Sequence, residues 1–301
     1  MTTTNEPNLT CSAASAVDEP LPGTAAHATA WLCVEQPGPW GRDMIGDAVL
    51  GVELSAELGR RTAAANVRPM LVRRSGRTVA TGQRTVLLAS SAPGNTWCER
   101  LVIGALDELL DIDLDRLAGP PPGIGDRVTE PTVLVCAHSK RDQCCARFGR
   151  PVAAHLAATY GDMVWECSHT GGHRFAPSMI MLPTGYTYGR LDAEQSEAVV
   201  EAVVAGSVPV TGLRGRSSYT AYAQAAEVAV RSTIHASVDA LTVVESQSDP
   251  VVVHTDGRRW EAHVRTRPLP PRPASCGAVP KTAEAVEVVR LRELGVQRTE
   301  G

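Results

Sequence analysis

Short apolar, β-branched runs alternate with amphipathic segments along most of the chain. Apolar residues recur at helical spacing over residues 47–65, 97–111 and 145–159, and Asp192 is placed to cap a further helix that ends near Ala205. The runs between these segments predict strands. They cover Ala30–Glu35, Met70–Arg73, Thr85–Ala89, Thr132–Ala137, Met163–Cys167, Met179–Leu182 and Tyr186–Leu191, and the last two form a hairpin.

The order of these elements predicts an α/β protein with a thioredoxin-like second half. That half runs strand, helix, three strands, helix, and the first half has a similar order, which suggests two pseudo-repeated halves. The Pro- and Gly-rich stretch Ala118–Gly125 is the best linker between them. We therefore predict an N-terminal α/β half at 29–125 and a thioredoxin-like domain at 126–210, preceded by a flexible arm at 1–28.

Residues 211–301 predict a helix-plus-hairpin extension. A helix over Ser218–His235 precedes three strands near 241–245, 251–254 and 260–265, with a turn at His254–Gly257. A Pro-rich stretch at 268–273 and a short apolar helix are predicted to finish the chain.

Composition excludes several classes of protein. The 301 residues carry a net charge of −4, which disfavours binding to nucleic acid or to an anionic membrane surface. No apolar run approaches the roughly 18 residues of a membrane span, and the first 29 residues lack the features of a secretory signal. We expect a cytoplasmic protein whose eight cysteines are ligands or free thiols rather than a disulfide framework.

Two segments concentrate cysteine and histidine where predicted strands end. VCAHSKRDQCC (135–145) and ECSHTGGH (166–173) hold four of the eight cysteines and three of the eight histidines. Thiolates and imidazoles are the ligands that zinc and iron–sulfur clusters use. Cys11, Cys33, Cys98 and Cys276 are isolated in the sequence and are predicted to be structural.

Three ligand sets are compatible with the spacing. The first combines Cys136 and Cys145 with His169 and His173, where Gly171 and Gly172 allow a sharp turn. The second is Rieske-like and takes Cys136, His138, Cys167 and His169, because positions two apart on a strand share a face. The third is a Cys₂His₂ zinc site, although its usual short cysteine spacing is absent. Cys167, within a strand, is equally well explained as a small buried hydrophobe.

Several runs together resemble the sucrase/ferredoxin-like family over about residues 20–280. They are VCAHSKRDQCCARFGRPVA (135–153), WECSHTGGHRFAP (165–177) with MLPTGYTYGRL after it, EQPGPWG (35–41) and LRGRSSYTAYAQAAEVAVR (213–231). The resemblance implies a thioredoxin-like ferredoxin domain with a [2Fe–2S] cluster held outside the Rieske fold. Carried over by position, the ligands would be Cys136, Cys145, His169 and His173, with Cys144 leaving a one-residue ambiguity. Arg141 and Arg174 would be cations beside them.

On this basis the expected function is electron transfer between unidentified donor and acceptor proteins. The family name suggests sucrose hydrolysis, but no carboxylate pair of the kind that glycosidases need is evident at the strand ends. A thioredoxin-like thiol–disulfide oxidoreductase is a stronger rival, although a C-x-x-C is missing from the first strand-to-helix turn. A zinc-binding, non-catalytic module is the third alternative.

Overall fold

The computed structural model describes residues 10–76, 82–246 and 249–296. The helices are α1 (Cys11–Ala16), α2 (Val52–Ala64), α3 (Gln143–Tyr160), α4 (Ala193–Val204) and α5 (Ala221–Arg231). The strands are β1 (Ala30–Glu35), β2 (Val67–Arg73), β3 (Arg84–Ala92), β4 (Asn95–Ile103), β5 (Asp126–Arg127), β6 (Thr132–Cys136), β7 (Val164–Cys167), β8 (Ser178–Leu182), β9 (Tyr186–Gly189), β10 (Leu213–Arg216), β11 (Leu241–Val244), β12 (Val251–His254), β13 (Arg258–Arg272) and β14 (Lys281–Val296). Short 3-10 helices occur at Leu106–Leu110, Leu114–Ala118, Gly161–Met163 and His173–Phe175.

Ten strands form one sheet in the order β10-β9-β8-β6-β7-β2-β1-β3-β4-β5. In the second half, β6 lies between parallel β7 and antiparallel β8, with β9 beyond. In the first half, β1 lies between parallel β2 and antiparallel β3, with β4 beyond. The two halves thus repeat one arrangement, and the predicted α/β, thioredoxin-like fold is confirmed.

The two halves meet through β2 and β7, which pair antiparallel at Val72↔Cys167 and Arg73↔Glu166. The guanidinium of Arg73 contacts the Glu166 carboxylate at 2.8 Å. One buried cluster continues across this junction, with Trp31, Met70 and Leu87 from the first half and Leu134, Trp165 and Ile180 from the second. Separate clusters lie under α2 in one half and under α3 and α4 in the other. The boundary proposed at residue 125 stays a prediction.

The helix predicted over residues 97–111 is wrong. The segment is β4, followed by a 3-10 helix at Leu106–Leu110. Strand β4 pairs with β3 along its whole length, from Arg84↔Ile103 to Ala92↔Asn95, across a tight turn at Pro93-Gly94. Pairing with β3 therefore overrides the helix-like spacing of the leucines. The Pro-Gly turn before β4 was the sequence signal for this hairpin.

The C-terminal extension forms a second sheet in the order β11-β12-β13-β14. Helix α5 packs on it through Ala226 and Val230, beside Leu241, Val252 and Trp260. The predicted helix and the three strands of this region are confirmed, but the predicted terminal helix is wrong. Residues 281–296 are a long strand paired with β13, which itself continues through the Pro-rich stretch.

The predicted arm at 1–28 falls partly on residues 1–9, which lie outside the described residues. Of the remainder, residues 11–16 form α1, whose Cys11 and Ser15 are fully buried. Glu19, which follows, is also buried and accepts a hydrogen bond from Ser15 Oγ at 2.6 Å. Among the helices that the structure describes, none is both long and apolar enough to cross a bilayer.

Candidate metal centre

The two Cys- and His-rich segments converge at one edge of the sheet. Cys136 ends β6 and pairs in parallel register with Cys167, which ends β7. The carboxyl ends of parallel strands meet at the same edge, so the loops that follow them are neighbours. Helix α3 begins directly afterwards, capped by Asp142, whose Oδ1 accepts a hydrogen bond from the Cys144 amide at 2.8 Å. The strand ends and the first turn of α3 therefore enclose one small volume.

Three of the four predicted ligands lie together in that volume. The Sγ atoms of Cys136 and Cys145 and a ring nitrogen of His169 are all within 4.8 Å of one another. His173 begins the 3-10 helix that follows, and its ring centroid is 4.8 Å from that of His169. Across the described part of the chain, Nδ1 of His169 and Nδ1 of His173 are buried without a hydrogen-bond partner. Two thiols and two unpartnered imidazole nitrogens fit the donor set that the resemblance implied.

The pKa values of the two thiols, Cys136 and Cys145, are shifted in opposite directions. A hydrogen bond from the Cys145 thiol, followed by interactions with His169 and the Thr170 amide, lowers the pKa of Cys136 well below the ordinary thiol value. The pKa of Cys145 is raised, first by its partnership with Cys136 and then by burial. Burial, together with the neighbouring His169 ring, lowers the pKa of His173, which favours the neutral form of its imidazole. A neutral imidazole and a thiolate are the protonation states that bind metals.

Glycines allow this packing at two positions. Gly172 has a φ of +73°, and a Cβ there would lie 2.6 Å from Nη2 of Arg214. Gly149 lies on the face of α3 against the end of β6, where a Cβ would collide with the carbonyl oxygen of Cys136. The turn between His169 and His173 and the close approach of α3 to Cys136 both depend on the missing side chains.

His138 is held away from the thiols. Its Nε2 lies 2.8 Å from the carbonyl oxygen of Gly41, and its Nδ1 accepts a hydrogen bond from the backbone amide of His169 at 3.2 Å. One neutral tautomer satisfies both contacts. The ring therefore links the Pro- and Gly-rich loop of the first half to the His169 backbone, and the structure does not bring His138 to the thiols as the Rieske-like set requires.

Cys167 is fully buried in the cluster that crosses the sheet, and burial raises the pKa of its thiol well above the ordinary value. It lies outside the Cys136–Cys145–His169 group. This environment matches the prediction of a small buried hydrophobe.

Two arginines that the sequence did not predict as part of the site contact the backbone beside the histidines. Arg68 donates through Nη2 to the His169 carbonyl at 3.1 Å, and Arg214 donates through Nη1 to the Gly171 carbonyl at 3.1 Å. Burial lowers the pKa of Arg214 to about 9. Both come from strands distant in the sequence, β2 and β10. Arg214 lies in the quoted run 213–231, but nothing in that run indicates its contact with the second Cys- and His-rich segment. Of the two arginines that were predicted, Arg174 is paired with Glu19 at 2.8 Å.

Arg141 lines a surface depression beside His169. The depression has a volume of about 190 Å³ and is also lined by Arg42, Asp43, Arg68 and His138. Cys136 and Cys145 are each only 1% exposed, so the histidine side of the centre is its accessible side.

Helix geometry separates Cys144 from Cys145. Successive helix residues point about 100° apart, and Cys144 turns away from Cys136 to join Cys11, Cys276 and Asp142. Cys11 and Cys276, which are isolated in the sequence, therefore meet in space, and their structural role stays a prediction. All eight cysteines are free thiols.

Comparison with known proteins adds one finding. A family model described as Sucrase/ferredoxin-like matches residues 21–215, which include both halves of the large sheet and all four predicted ligands. No curated protein and no solved structure matches the chain.

Proposed function

The chain belongs to the sucrase/ferredoxin-like family, and from this premise we propose that it carries a [2Fe–2S] cluster and transfers single electrons. Cys136, Cys145, His169 and His173 would hold the cluster. The observation that carries the proposal is the convergence of two buried thiols with His169, against whose ring His173 packs. The Nδ1 atoms of both imidazoles have no partner among the described residues.

When bound, such a cluster supplies a one-electron couple, and two imidazoles in place of two thiolates raise its potential. The surrounding residues stabilise the charges of the ligands. The Thr170 amide and the buried guanidinium of Arg214 both act on Cys136. His173 directs Nε2 towards Oδ2 of Asp142, 4.0 Å away, so a carboxylate is available near the outer proton of that imidazole.

The depression beside His169 is the proposed docking point for redox partners. Arg42, Arg68 and Arg141 line it together with one carboxylate, that of Asp43, which favours a partner with an acidic contact surface.

Anaerobic purification followed by iron and acid-labile sulfide analysis tests the proposal. We expect about two irons and two sulfides per chain, with an EPR signal after reduction by dithionite. Cys136→Ser, Cys145→Ser, His169→Ala and His173→Ala should each lose or severely destabilise the cluster, and Cys167→Ser is the matched control that should retain it. Wild-type protein that contains no sulfide would contradict the proposal. So would wild-type protein that contains zinc and no iron and loses that zinc in Cys136→Ser, and this result would favour a zinc-binding module.

A thiol–disulfide oxidoreductase is the second candidate, and the lowered pKa of Cys136 beside the Cys145 thiol favours it. Burial argues against it, because a substrate disulfide cannot reach two thiols that are 1% exposed. Reduction of a disulfide substrate by the apoprotein, abolished by either Cys136→Ser or Cys145→Ser, would support this candidate.

A further inference from the structure

Three cysteines and one aspartate from three distant parts of the chain meet at the start of α3. Cys11 comes from α1, Asp142 and Cys144 from the first turn of α3, and Cys276 from the connection between β13 and β14. The four ligand atoms all lie within 4.8 Å of one another. Cys11 and Cys144 are fully buried, and Cys276 is half-buried.

The distances match the edges of a tetrahedral zinc site. The sulfurs form a triangle with sides of 3.3 Å (Cys144–Cys276), 3.6 Å (Cys276–Cys11) and 3.7 Å (Cys11–Cys144). Zinc–sulfur bonds of about 2.3 Å place two tetrahedral ligand sulfurs about 3.8 Å apart. Both carboxylate oxygens of Asp142 lie 3.7 Å from the Cys11 sulfur, close to the corresponding sulfur–oxygen edge of about 3.5 Å.

The surroundings of the ligands suit a closed site. Asp142 accepts hydrogen bonds from the Cys144 and Cys276 amides, each at 2.8 Å, which fixes its carboxylate. Ser12 Oγ donates to the Cys144 sulfur at 3.4 Å. The positive end of the 18-residue helix α3 lies at the same place and favours the negative charge of thiolates. Such fixed ligands are typical of metal sites whose outer contacts hold the first ligands in place.

We propose that Cys11, Asp142, Cys144 and Cys276 bind one structural zinc ion, separate from the cluster centre. Three soft thiolates with one harder carboxylate suit the borderline Zn²⁺ better than Cu⁺, which prefers sulfur alone, or Mg²⁺, which prefers oxygen. Four protein ligands leave no open position, so the ion has a structural role. It fastens α1 and the C-terminal hairpin to the helix that carries Cys145. None of the four is a proposed cluster ligand, and Cys11 and Cys276 lie outside the residues matched by the family model. Asp142 faces both centres, since its Oδ2 also lies 4.0 Å from Nε2 of His173, so the zinc site is tested through Cys276, which belongs to this group alone.

Metal analysis of the full-length protein, purified anaerobically without chelators, tests the inference. We expect about one zinc per chain. Cys276→Ser should lose the zinc while retaining iron and sulfide, and Cys136→Ser should lose the iron while retaining the zinc. Cys98→Ala removes a single buried thiol that belongs to neither group of ligands and should change neither metal. If the wild type contains zinc but no iron, the cluster proposal fails, and the zinc inference stands only when Cys276→Ser loses that zinc and Cys136→Ser retains it.

A second variant preserves the fold of the helix terminus. Asp142→Asn keeps a good N-cap residue but removes the anionic ligand, so zinc affinity should fall at least about tenfold in a competition titration against a chromogenic zinc chelator. Cobalt loaded in place of zinc should show the thiolate charge-transfer bands of a tetrahedral site. Full-length protein that binds neither zinc nor cobalt at these residues, or that contains a Cys144–Cys276 disulfide by mass spectrometry, would overturn the inference.

Discussion

Single residues in the centre have distinct tasks that their contacts reveal. His169 and His173 each keep one ring nitrogen buried and unpartnered within the described residues, whereas His138 uses both of its ring nitrogens in contacts with the backbone. A satisfied ring is part of the scaffold, and an unsatisfied one is available to a ligand. The same residue type therefore serves two purposes within 36 residues of chain.

His138→Ala should retain iron and sulfide. It should also lower the free energy of unfolding by about 1–3 kcal/mol, because the His169 amide and the Gly41 carbonyl lose their partner. Chemical denaturation and iron analysis of the same preparation measure both effects. His155→Ala is the control, since that ring is partly exposed and, within the described residues, pairs with Glu197 alone. Loss of iron from His138→Ala, together with an intact spectrum in His173→Ala, would restore the Rieske-like ligand set.

The midpoint potential of the proposed cluster should fall as pH rises. An imidazole bound to oxidised iron is more acidic than one bound to reduced iron, so reduction takes up a proton above the oxidised-state pKa. The limiting slope is about 59 mV per pH unit for one proton per electron. Redox titration from mildly acidic to strongly alkaline pH measures it. A flat response would mean that the imidazoles do not bind iron or that their outer protons are fixed.

The sequence could predict which residue types form the centre, because both motifs follow strands whose apolar character was clear. It could not show which of Cys144 and Cys145 faces the centre, since the directions of adjacent side chains depend on how the helix is rotated about its axis. It also could not pair Cys11 with Cys276, which are 265 positions apart and lie in unremarkable local sequence. Tertiary contacts between residues far apart in the sequence leave no pattern in the residues around either partner.

At the scale of elements, the position of α3 against β6 determines where Cys145 lies. Gly149 permits the contact, and the helix begins at a capped first turn. Secondary structure was predictable wherever the apolar period was unambiguous, as in α4 with its Asp192 cap. It failed in β4 and β14, where residues with helix-favouring spacing or composition pair along a long partner strand. There the tertiary partner decides the conformation.

Gly149→Ala should destabilise the protein by about 1–3 kcal/mol, because the new methyl group collides with the Cys136 carbonyl and forces α3 outwards. Helix propensity alone would make the alanine variant more stable by about 1 kcal/mol. The sign of the change in the free energy of unfolding therefore shows whether the contact with the Cys136 carbonyl exists. Gly59→Ala in α2 is the comparison, since a Cβ there would lie 2.7 Å from the side-chain Cγ2 of Ile45 rather than against a backbone carbonyl, and it should cost less than Gly149→Ala. Urea denaturation compares the two, and a more stable Gly149→Ala protein would contradict the packing described.

At the scale of the whole molecule, the two halves share one sheet and one buried cluster. Residues of the first half reach the centre in the second, as Arg68 does at the His169 carbonyl and Gly41 at the His138 ring. The first half is therefore part of the environment of the centre.

Leu87→Ala in β3 should accordingly destabilise both halves together, by about 2–5 kcal/mol, because it leaves a cavity in the shared cluster. Far-UV circular dichroism and tryptophan fluorescence should report one coincident transition, shifted to lower denaturant. Val102→Ala, at a position 59% exposed, is the control and should change little. Two separate transitions, with only one displaced by Leu87→Ala, would show that the halves unfold independently.

The burial of Cys136 and Cys145 has a kinetic consequence for the proposed electron carrier. Electron tunnelling slows steeply with distance. The two thiols are buried where the end of β6 meets the start of α3, whereas the depression at His169 brings the surface close to the centre. For a molecule that contacts any other part of the surface, the electron would have to tunnel through a longer path within the protein. Redox partners would then be selected by whether they can contact the depression beside His169. A strong reductant that does not fit this depression would react slowly despite its driving force.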